Sequence, residues 1–108
     1  MPRPHQYWTY ILTNPARNVM YVGVTNNLEN RVADHRAGKG GVFTSRYNVH
    51  TLVYAEEYQQ VTEAIAREKE IKAWRRSKKN ALVEAANPTW ADLFAPGEAF
   101  KDPSLRSG

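Results

Sequence analysis

Two segments rich in aromatic and β-branched residues, separated by a short turn, most strongly constrain how this chain can fold. Residues 7–13 read YWTYILT, and residues 19–24 read VMYVGV. Such side chains suit the pleated surface of a strand. Residues 14–18 read NPARN, which favours a turn because proline cannot continue a strand ladder. The pattern therefore predicts an antiparallel β-hairpin.

The register of this hairpin follows from the length of its loop. A four-residue loop would pair Thr13 with Asn18 and set Tyr10 directly opposite Tyr21. Gly23 interrupts the second strand, where a glycine marks a bulge or the close approach of another group. A tyrosine pair beside this glycine is a candidate binding surface.

The rest of the chain predicts one more strand and three helices. A Thr-Asn-Asn sequence at residues 25–27 and Thr62 are the expected helix caps. The predicted elements are a helix over 28–37, a strand over 49–58, and helices over 63–75 and 77–86. The order β-β-α-β-α-α predicts an α+β fold, with a three-stranded antiparallel sheet flanked by helices. We expect residues 6–94 to form one domain and residues 95–108 to be a flexible tail.

Composition excludes several classes of protein. The chain of 108 residues contains no cysteine, which excludes disulfides and thiolate zinc sites. It has no run of about 18 apolar residues, so we expect no membrane-spanning helix. Its first residues lack the apolar stretch of a signal peptide, and a cytoplasmic location is expected by default.

Positive charge is concentrated in two blocks of the sequence. The net charge is +4, but residues 62–80 alone contain seven basic and three acidic residues. Residues 31–50 form the other basic block. These blocks are either solvated helix faces or surfaces that contact nucleic-acid phosphates.

Glu68 is out of place in the pattern of its predicted helix. The apolar positions Val61, Ala64, Ile65 and Ile71 follow a 3.6-residue period, and Glu68 lies in the middle of that stripe. Burying a carboxylate without a partner costs several kcal/mol, so some group must face it. The partner is either a basic side chain, in a salt bridge, or a hard cation such as Mg²⁺, which needs only one or two protein carboxylates.

Arg31 and His35 form a second anomaly, on the preceding helix. Leu28, Val32 and His35 share one face of the helix. Arg31 lies at the edge of that face and points the same way as His35. A histidine or an arginine at a helix edge is ordinary taken singly. Two that point the same way at the border of a core are candidates for a functional site.

The ordered set of these residues resembles the GIY-YIG nuclease superfamily. The set is Tyr10, Tyr21-Val22-Gly23, Arg31, His35 and Glu68. The segments at residues 64–72 and 87–93 look like those of the small free-standing bacterial members. The chain also resembles the N-terminal nuclease domain of bacterial excision-repair endonucleases. The resemblance covers residues 6–94.

The chain also departs from the family pattern. Its first motif reads Trp8-Thr9-Tyr10 in place of Gly-Ile-Tyr, and its second has Val22 in place of isoleucine. The family's asparagine after the glutamate matches either Asn80 or Asn87. No second DNA-recognition domain is apparent in the sequence.

The resemblance implies hydrolysis of a DNA phosphodiester with one divalent ion, Mg²⁺ or Mn²⁺, held by Glu68. Arg31 would stabilise the negative charge that develops on the phosphate. Tyr10 would deprotonate the attacking water, with Tyr21 orienting water or phosphate. A phenol is a poor base unless it is activated, and His35 or a local positive field would supply the activation.

The implied partner is nucleic acid, DNA rather than RNA, bound by a monomer with no membrane involved. Cleavage is expected to depend on substrate structure rather than sequence, in repair or recombination. The alternative is a nucleic-acid-binding module with weak or no catalysis. The candidate nucleic-acid contacts are Gly23, Lys39, Arg46, Arg67, Lys72, Arg75, Arg76 and Asn80.

Overall fold

The computed structural model describes residues 6–39 and 46–94. Its strands are β1 (Tyr7–Thr13), β2 (Met20–Thr25) and β3 (Thr51–Tyr58), and its helices are α1 (Leu28–Arg36), α2 (Val61–Lys72) and α3 (Arg76–Ala86). The predicted α+β class and the order β-β-α-β-α-α are confirmed over these residues. The tail expected at residues 95–108 lies outside them.

The three strands form one antiparallel sheet in the order β2-β1-β3. Thr13 pairs with Met20, and Tyr10 pairs with Gly23. The prediction that Tyr10 lies directly opposite Tyr21 was therefore wrong by two residues. Because side chains alternate with a period of two, the shift leaves both tyrosines on the same face of the sheet.

Asn14 explains why the hairpin loop is longer than predicted. Its side-chain oxygen accepts hydrogen bonds from the backbone N–H groups of Asn18, at 3.1 Å, and Val19, at 3.0 Å. These bonds satisfy the backbone of a loop that runs over residues 14–19. Asparagine side chains commonly close turns in this way.

The two faces of the sheet bury separate apolar clusters. One face packs Trp8, Tyr10 and Leu12 against Leu28 and Val32 of α1. The opposite face contacts α2 and α3, in a cluster that includes Ile11, Val22, Ile71 and Val83. Each fully buried aliphatic side chain contributes about 1.5–3 kcal/mol to stability.

The ends of the helices confirm one cap prediction and correct another. Asn27 caps α1, its side-chain oxygen accepting from the Asn30 N–H at 3.1 Å. Thr62 is not the cap of α2, because the helix begins at Val61 and the carbonyl of Gln60 accepts its first hydrogen bonds. The same helix ends at Lys72, three residues earlier than predicted.

The segment after α3 crosses the β3 edge of the sheet. Asn87 donates to the carbonyl of Val53 at 3.0 Å, and the Leu93 N–H donates to the carbonyl of Leu52 at 2.8 Å. Trp90 joins the cluster on the α2 and α3 face, whereas Leu93 joins the cluster on the α1 face. This segment therefore ties both faces of the sheet together.

Within residues 6–39 and 46–94, none of the helices combines the length and the apolar character needed to cross a bilayer.

Candidate active site

The site is built around Gly23 of β2. Tyr10, its partner on β1, is only 1% exposed. A Cβ atom at position 23 would lie 2.6 Å from the Tyr10 Oη and 2.9 Å from Cε1 of Tyr21. The glycine thus marks a close approach, as its position in a strand predicted, and the approaching groups are the two tyrosine rings.

Helix α1 brings an arginine and a histidine to the same place. The Arg31 Nε donates to the Tyr10 Oη at 3.4 Å, and the His35 Nε2 lies 3.3 Å from that oxygen. The Tyr21 ring centroid is 6.2 Å from that of Tyr10 and 5.2 Å from that of His35. We call Tyr10, Tyr21, Arg31 and His35 the tyrosine cluster.

Burial controls the protonation of this cluster. It raises the pKa of Tyr10 to about 12, although the hydrogen bond from Arg31 acts in the opposite direction. Burial, with the positive charge of Arg31, lowers the pKa of His35 to about 4. The hydrogen bond to Tyr10 is the main cause that raises the pKa of Arg31. At neutral pH the phenol and the imidazole are both neutral, and the guanidinium is charged.

These protonation states define what the cluster can do. Arg31 donates to the phenol oxygen of Tyr10, so the phenol can donate its own proton to His35 Nε2 when the imidazole is protonated on Nδ1. The positive charge of Arg31 does not by itself make Tyr10 a phenolate, because the burial of Tyr10 has the larger effect on its pKa. Tyr10 can accept a proton only if it passes its own to His35.

Helix α2 places Glu68 at the border of its buried face. Ala64 and Ile71 are fully buried, but Val61 and Ile65 are 40% and 38% exposed, so the predicted stripe was too wide. The physical reason is that α2 touches the sheet along a narrow line, with Thr9 donating to the carbonyl of Ala64 at 2.8 Å.

The Glu68 carboxylate is half-buried and carries an ion pair. Its side chain is 20% exposed, and its oxygen lies 2.9 Å from Nζ of Lys72, whose side chain is 52% exposed. Among the described residues, Lys72 is the side chain bonded to this carboxylate. Since α2 packs on the face opposite α1, Glu68 and the tyrosine cluster are carried by elements on two sides of the sheet.

Glu68 is the carboxylate expected to hold a metal ion. In the described part of the chain, no group of three or more His, Asp or Glu residues could hold a metal ion. Mg²⁺ keeps several waters and is bound through one or two carboxylates plus substrate phosphates, so a single carboxylate is compatible with that ion. Glu68 is the residue that fits this role, because its ion-pair partner is exposed and readily displaced.

Arg67, a predicted phosphate contact, is committed to an internal network. Its Nε and Nη2 donate to Glu56 at 2.9 and 3.1 Å, and its Nη1 donates to Glu70 at 2.9 Å. Its guanidinium also lies 5.1 Å from the centroid of the Trp74 ring. Burial opposes the charge on Glu56, but hydrogen bonds from Arg67 and Tyr54 hold its pKa below the usual range.

The remaining predicted contacts differ in their surroundings. Lys39, Arg46 and Arg75 are exposed, whereas Gly23 is buried beneath the Tyr10 ring. Lys72 is paired with Glu68. Their contacts with nucleic acid stay predictions.

The structure separates the two asparagine candidates. Asn87 is 7% exposed, and its side chain bonds the carbonyls of Val53 and Ala91 and the Ala91 N–H. Asn80 is half-buried and accepts from Arg76 Nε at 3.1 Å. Because Asn87 is fully engaged with the backbone, Asn80 is the better candidate for a role in the site.

Sequence reasoning missed the residue that follows His35. Arg36 Nη2 lies 2.7 Å from both carboxylate oxygens of Asp92. Its Nη1 donates to the Phe94 carbonyl at 2.7 Å, and its Nε donates to the His50 carbonyl at 3.2 Å. No local pattern reveals a pair separated by 56 residues, so only the tertiary structure shows this clamp on α1.

Comparisons with known proteins identify the family of the chain. A family model described as the GIY-YIG catalytic domain matches residues 6–80. A UPF0213 protein of Staphylococcus haemolyticus is 42% identical, over 62% of this chain and 82% of that protein. A UPF0213 protein of Natronomonas pharaonis is 39% identical, over 71% of this chain and 89% of that protein.

A similar fold occurs in a solved structure. The solution NMR structure of a UPF0213 protein from Bacillus halodurans matches with a TM-score of 0.53 and 26% identity, over 87% of this chain and 99% of that chain.

Proposed function

Because the chain belongs to the GIY-YIG family, a nuclease superfamily, we propose that it is a metal-dependent endonuclease that hydrolyses phosphodiester bonds in DNA. The observation that carries the proposal is the tyrosine cluster. Tyr10, Tyr21, Arg31 and His35 come from three elements and meet beside Gly23. The cluster combines a charged guanidinium with two groups that can exchange a proton.

Tyr10 and His35 act together as the base in this proposal. The Tyr10 oxygen takes a proton from the attacking water while the phenol proton passes to Nε2 of His35, 3.3 Å away. The transfer uses two neutral groups, so it does not require a preformed phenolate. A positioned proton acceptor of this kind contributes about 10²–10⁴-fold to rate.

Arg31 stabilises the charge that builds on the phosphate in the transition state. Its Nε is held by Tyr10, which leaves the guanidinium half-buried at the site. A fixed cation at this position is worth about 3–4 kcal/mol of transition-state stabilisation, by analogy with a single preorganised oxyanion donor. Tyr21, beside both rings, orients water or phosphate.

Glu68 would hold one divalent ion, Mg²⁺ or Mn²⁺. When bound, such an ion polarises the phosphate and stabilises the leaving oxygen. Glu68 supplies one half-buried carboxylate for this purpose. In the free protein, Lys72 pairs with that carboxylate.

Substrate choice is proposed to depend on DNA structure rather than sequence, in repair or recombination. The basic residues suggested for binding would contact phosphates, and such contacts carry no direct sequence information. Binding is therefore expected to be salt-sensitive and nearly indifferent to sequence. DNA is favoured over RNA on family grounds, and the chain is proposed to act as a monomer.

One observation favours a different function, a nucleic-acid-binding module without useful catalysis. The Glu68 carboxylate is paired with Nζ of Lys72 at 2.9 Å, so this ion pair must break before the carboxylate can hold a metal ion. This alternative predicts binding without cleavage under every metal condition.

A cleavage assay separates the two functions. The full chain is incubated with a labelled panel of duplex, nicked, flapped and branched DNA and matching RNA, in Mg²⁺, in Mn²⁺ or in EDTA. We expect cleavage with either metal, none in EDTA, and none by the Glu68→Gln variant. Binding of the panel without cleavage in either metal would establish the alternative and end the endonuclease proposal.

A further inference from the structure

Five cations at the junction of α2 and α3 and at the neighbouring hairpin turn have no carboxylate partner among the described residues. They are Arg17, Arg75, Arg76, Lys78 and Lys79, and we call them the junction patch. By contrast, Arg36, Arg67 and Lys72 each form an ion pair with a carboxylate. Among the described residues, the cations thus include paired ones within the fold and a cluster at this junction that has no carboxylate partner.

Arg76 holds the two parts of the patch together without losing its charge. Its Nη1 donates to the carbonyl of Asn18 at 3.0 Å, its Nη2 donates to the carbonyl of Arg17, and its Nε donates to Asn80. All three acceptors are neutral, so the guanidinium charge is not cancelled. These bonds fix the start of α3 against the β1–β2 turn.

Two other cations of the patch are held on aromatic rings. The Lys78 Nζ lies 4.3 Å from the centroid of the Trp74 ring, and the Arg17 guanidinium lies 5.9 Å from that of Trp90. Cation–π contacts of this kind orient a side chain while leaving its charge available to an anion. Arg75 is exposed beside them.

The cations in the first turn of α3 are unfavourable for that helix. The first turn of α3 contains no acidic residue, and its cations oppose the helix dipole, which favours negative charge at that end. Local choices that conflict with folding mark positions kept for another purpose. The conflict is removed when an external anion binds.

We propose that the junction patch binds the sugar-phosphate backbone of the protein's nucleic-acid partner. This inference rests on the nucleic-acid partner of the proposed function, not on cleavage, and extends its binding surface. Four residues of α2, a rise of about 6 Å, separate Glu68 from Lys72 at the helix end, and the patch follows directly. On the other side, the turn held by Arg76 leads directly into β2, which carries Tyr21.

Nucleic acid fits the patch better than an anionic membrane does. A membrane surface calls for exposed apolar side chains among the cations. Here Trp74 is half-buried beneath Lys78, and Trp90 is 8% exposed beneath Arg17.

The test compares two triple variants of the full chain. One removes three charges, with Arg75→Gln, Lys78→Gln and Lys79→Gln, and its matched control retains them, with Arg75→Lys, Lys78→Arg and Lys79→Arg. Fluorescence anisotropy with a labelled 20-base-pair duplex is measured in EDTA from 50 to 300 mM salt. EDTA makes the readout independent of cleavage.

We expect the charge-removing variant to lose about fivefold in affinity per phosphate contact at 0.15 M salt. The slope of log affinity against log salt concentration should become shallower by about one unit per contact. The control should bind within about twofold of the unchanged protein. The Tm of the charge-removing variant should stay close to that of the unchanged protein, because relief of the conflict with the helix dipole and loss of the Lys78–Trp74 contact act in opposite directions.

Three results would overturn the inference. One is equal duplex affinity for both triple variants and the unchanged protein. Another is a lowered Tm with unchanged affinity, which indicates a structural role. The third is charge-dependent binding to phosphatidylserine vesicles but not to the duplex. If the unchanged protein binds through the patch but never cleaves, the endonuclease proposal fails and this inference stands.

Discussion

Tyr10 and Gly23 face each other across β1 and β2, and the Tyr10 ring occupies the space that a side chain at position 23 would need. A Cβ there would lie 2.7 Å from Cζ of the ring, closer than real Cβ contacts come. The Tyr10 ring cannot move away easily, because Tyr10 is 1% exposed and packed in the core. This pair therefore links the hairpin register to the position of the Tyr10 phenol.

Gly23→Ala should displace the phenol from Arg31 and His35. We expect a loss of about 1–3 kcal/mol in unfolding free energy, as for other overpacked cores, and a loss of cleavage of at least about tenfold. Urea unfolding and a single-turnover assay on the same protein measure the two effects. A variant with normal cleavage would show that the exact place of the phenol is unimportant.

Glu68→Ala should abolish cleavage and leave the fold intact. The predicted rate loss is about 10²–10³, while binding stays equal or tightens slightly because a negative charge is removed. Stability should change by less than about 1 kcal/mol, since the partner Lys72 is largely exposed.

Lys72→Gln is the matched control for Glu68→Ala, because it breaks the same ion pair and keeps the Glu68 carboxylate. It should retain metal-dependent cleavage, reduced at most about fivefold at 0.15 M salt by the loss of one phosphate contact. Equal losses of cleavage in both variants would contradict the assignment of Glu68 as the metal ligand.

Stability should fall on acidification because of His35. Its pKa is about 4 in the folded protein and about 6.5 when unfolded, so the unfolded chain binds more protons between these values. The stability is complete above about pH 6.5 and declines toward pH 4, by about 2–3 kcal/mol at pH 4.5. The contribution of Glu56, whose pKa is below its usual range, is lost only at lower pH.

Urea unfolding at pH 4.5, 5.5, 6.5 and 7.5 measures this dependence. His35→Phe removes the titration while keeping a ring of similar size, and its stability should be nearly constant over that range. If the unfolding free energy of His35→Phe falls with decreasing pH as steeply as that of the unchanged protein, groups other than His35 cause the pH dependence.

The Arg36–Asp92 clamp should position α1 for catalysis. Asp92→Asn removes the charge and keeps the shape, and we expect a loss of about 1–3 kcal/mol in stability. Because α1 carries Arg31 and His35, single-turnover cleavage should also fall, and the pKa of His35 should rise as the helix loosens and water enters. An NMR titration of the imidazole measures that shift.

Glu70→Gln is the control for Asp92→Asn. It removes the ion pair between Arg67 and Glu70, and the Glu70 side chain is 56% exposed. Its effect on stability should stay below about 1 kcal/mol, with the His35 titration unchanged. If Asp92→Asn shifts neither cleavage nor the His35 pKa, the clamp serves only the stability of the chain.

Local sequence patterns were sufficient to predict the order of the elements and to single out Gly23, Arg31 and His35. Strand composition predicted β1 and β2, and helical spacing correctly placed Leu28, Val32 and His35 on the buried face of α1. Gly23 stood out because a glycine weakens a strand unless something approaches it closely. These signals depend on neighbours within a few residues, which is why one sequence reveals them.

Only the tertiary structure determined the strand register, the exposed positions of α2, the long-range ion pairs and the protonation of buried groups. The register placed Tyr10 opposite Gly23 because Asn14 closes a longer loop, and the narrow contact of α2 left Val61 and Ile65 exposed. The pairing of Arg67 with Glu56, which draws it into the fold, depends on residues 11 positions apart on different elements. The protonation of Tyr10 and His35 likewise follows from burial, a property of the assembled fold and not of the residue types.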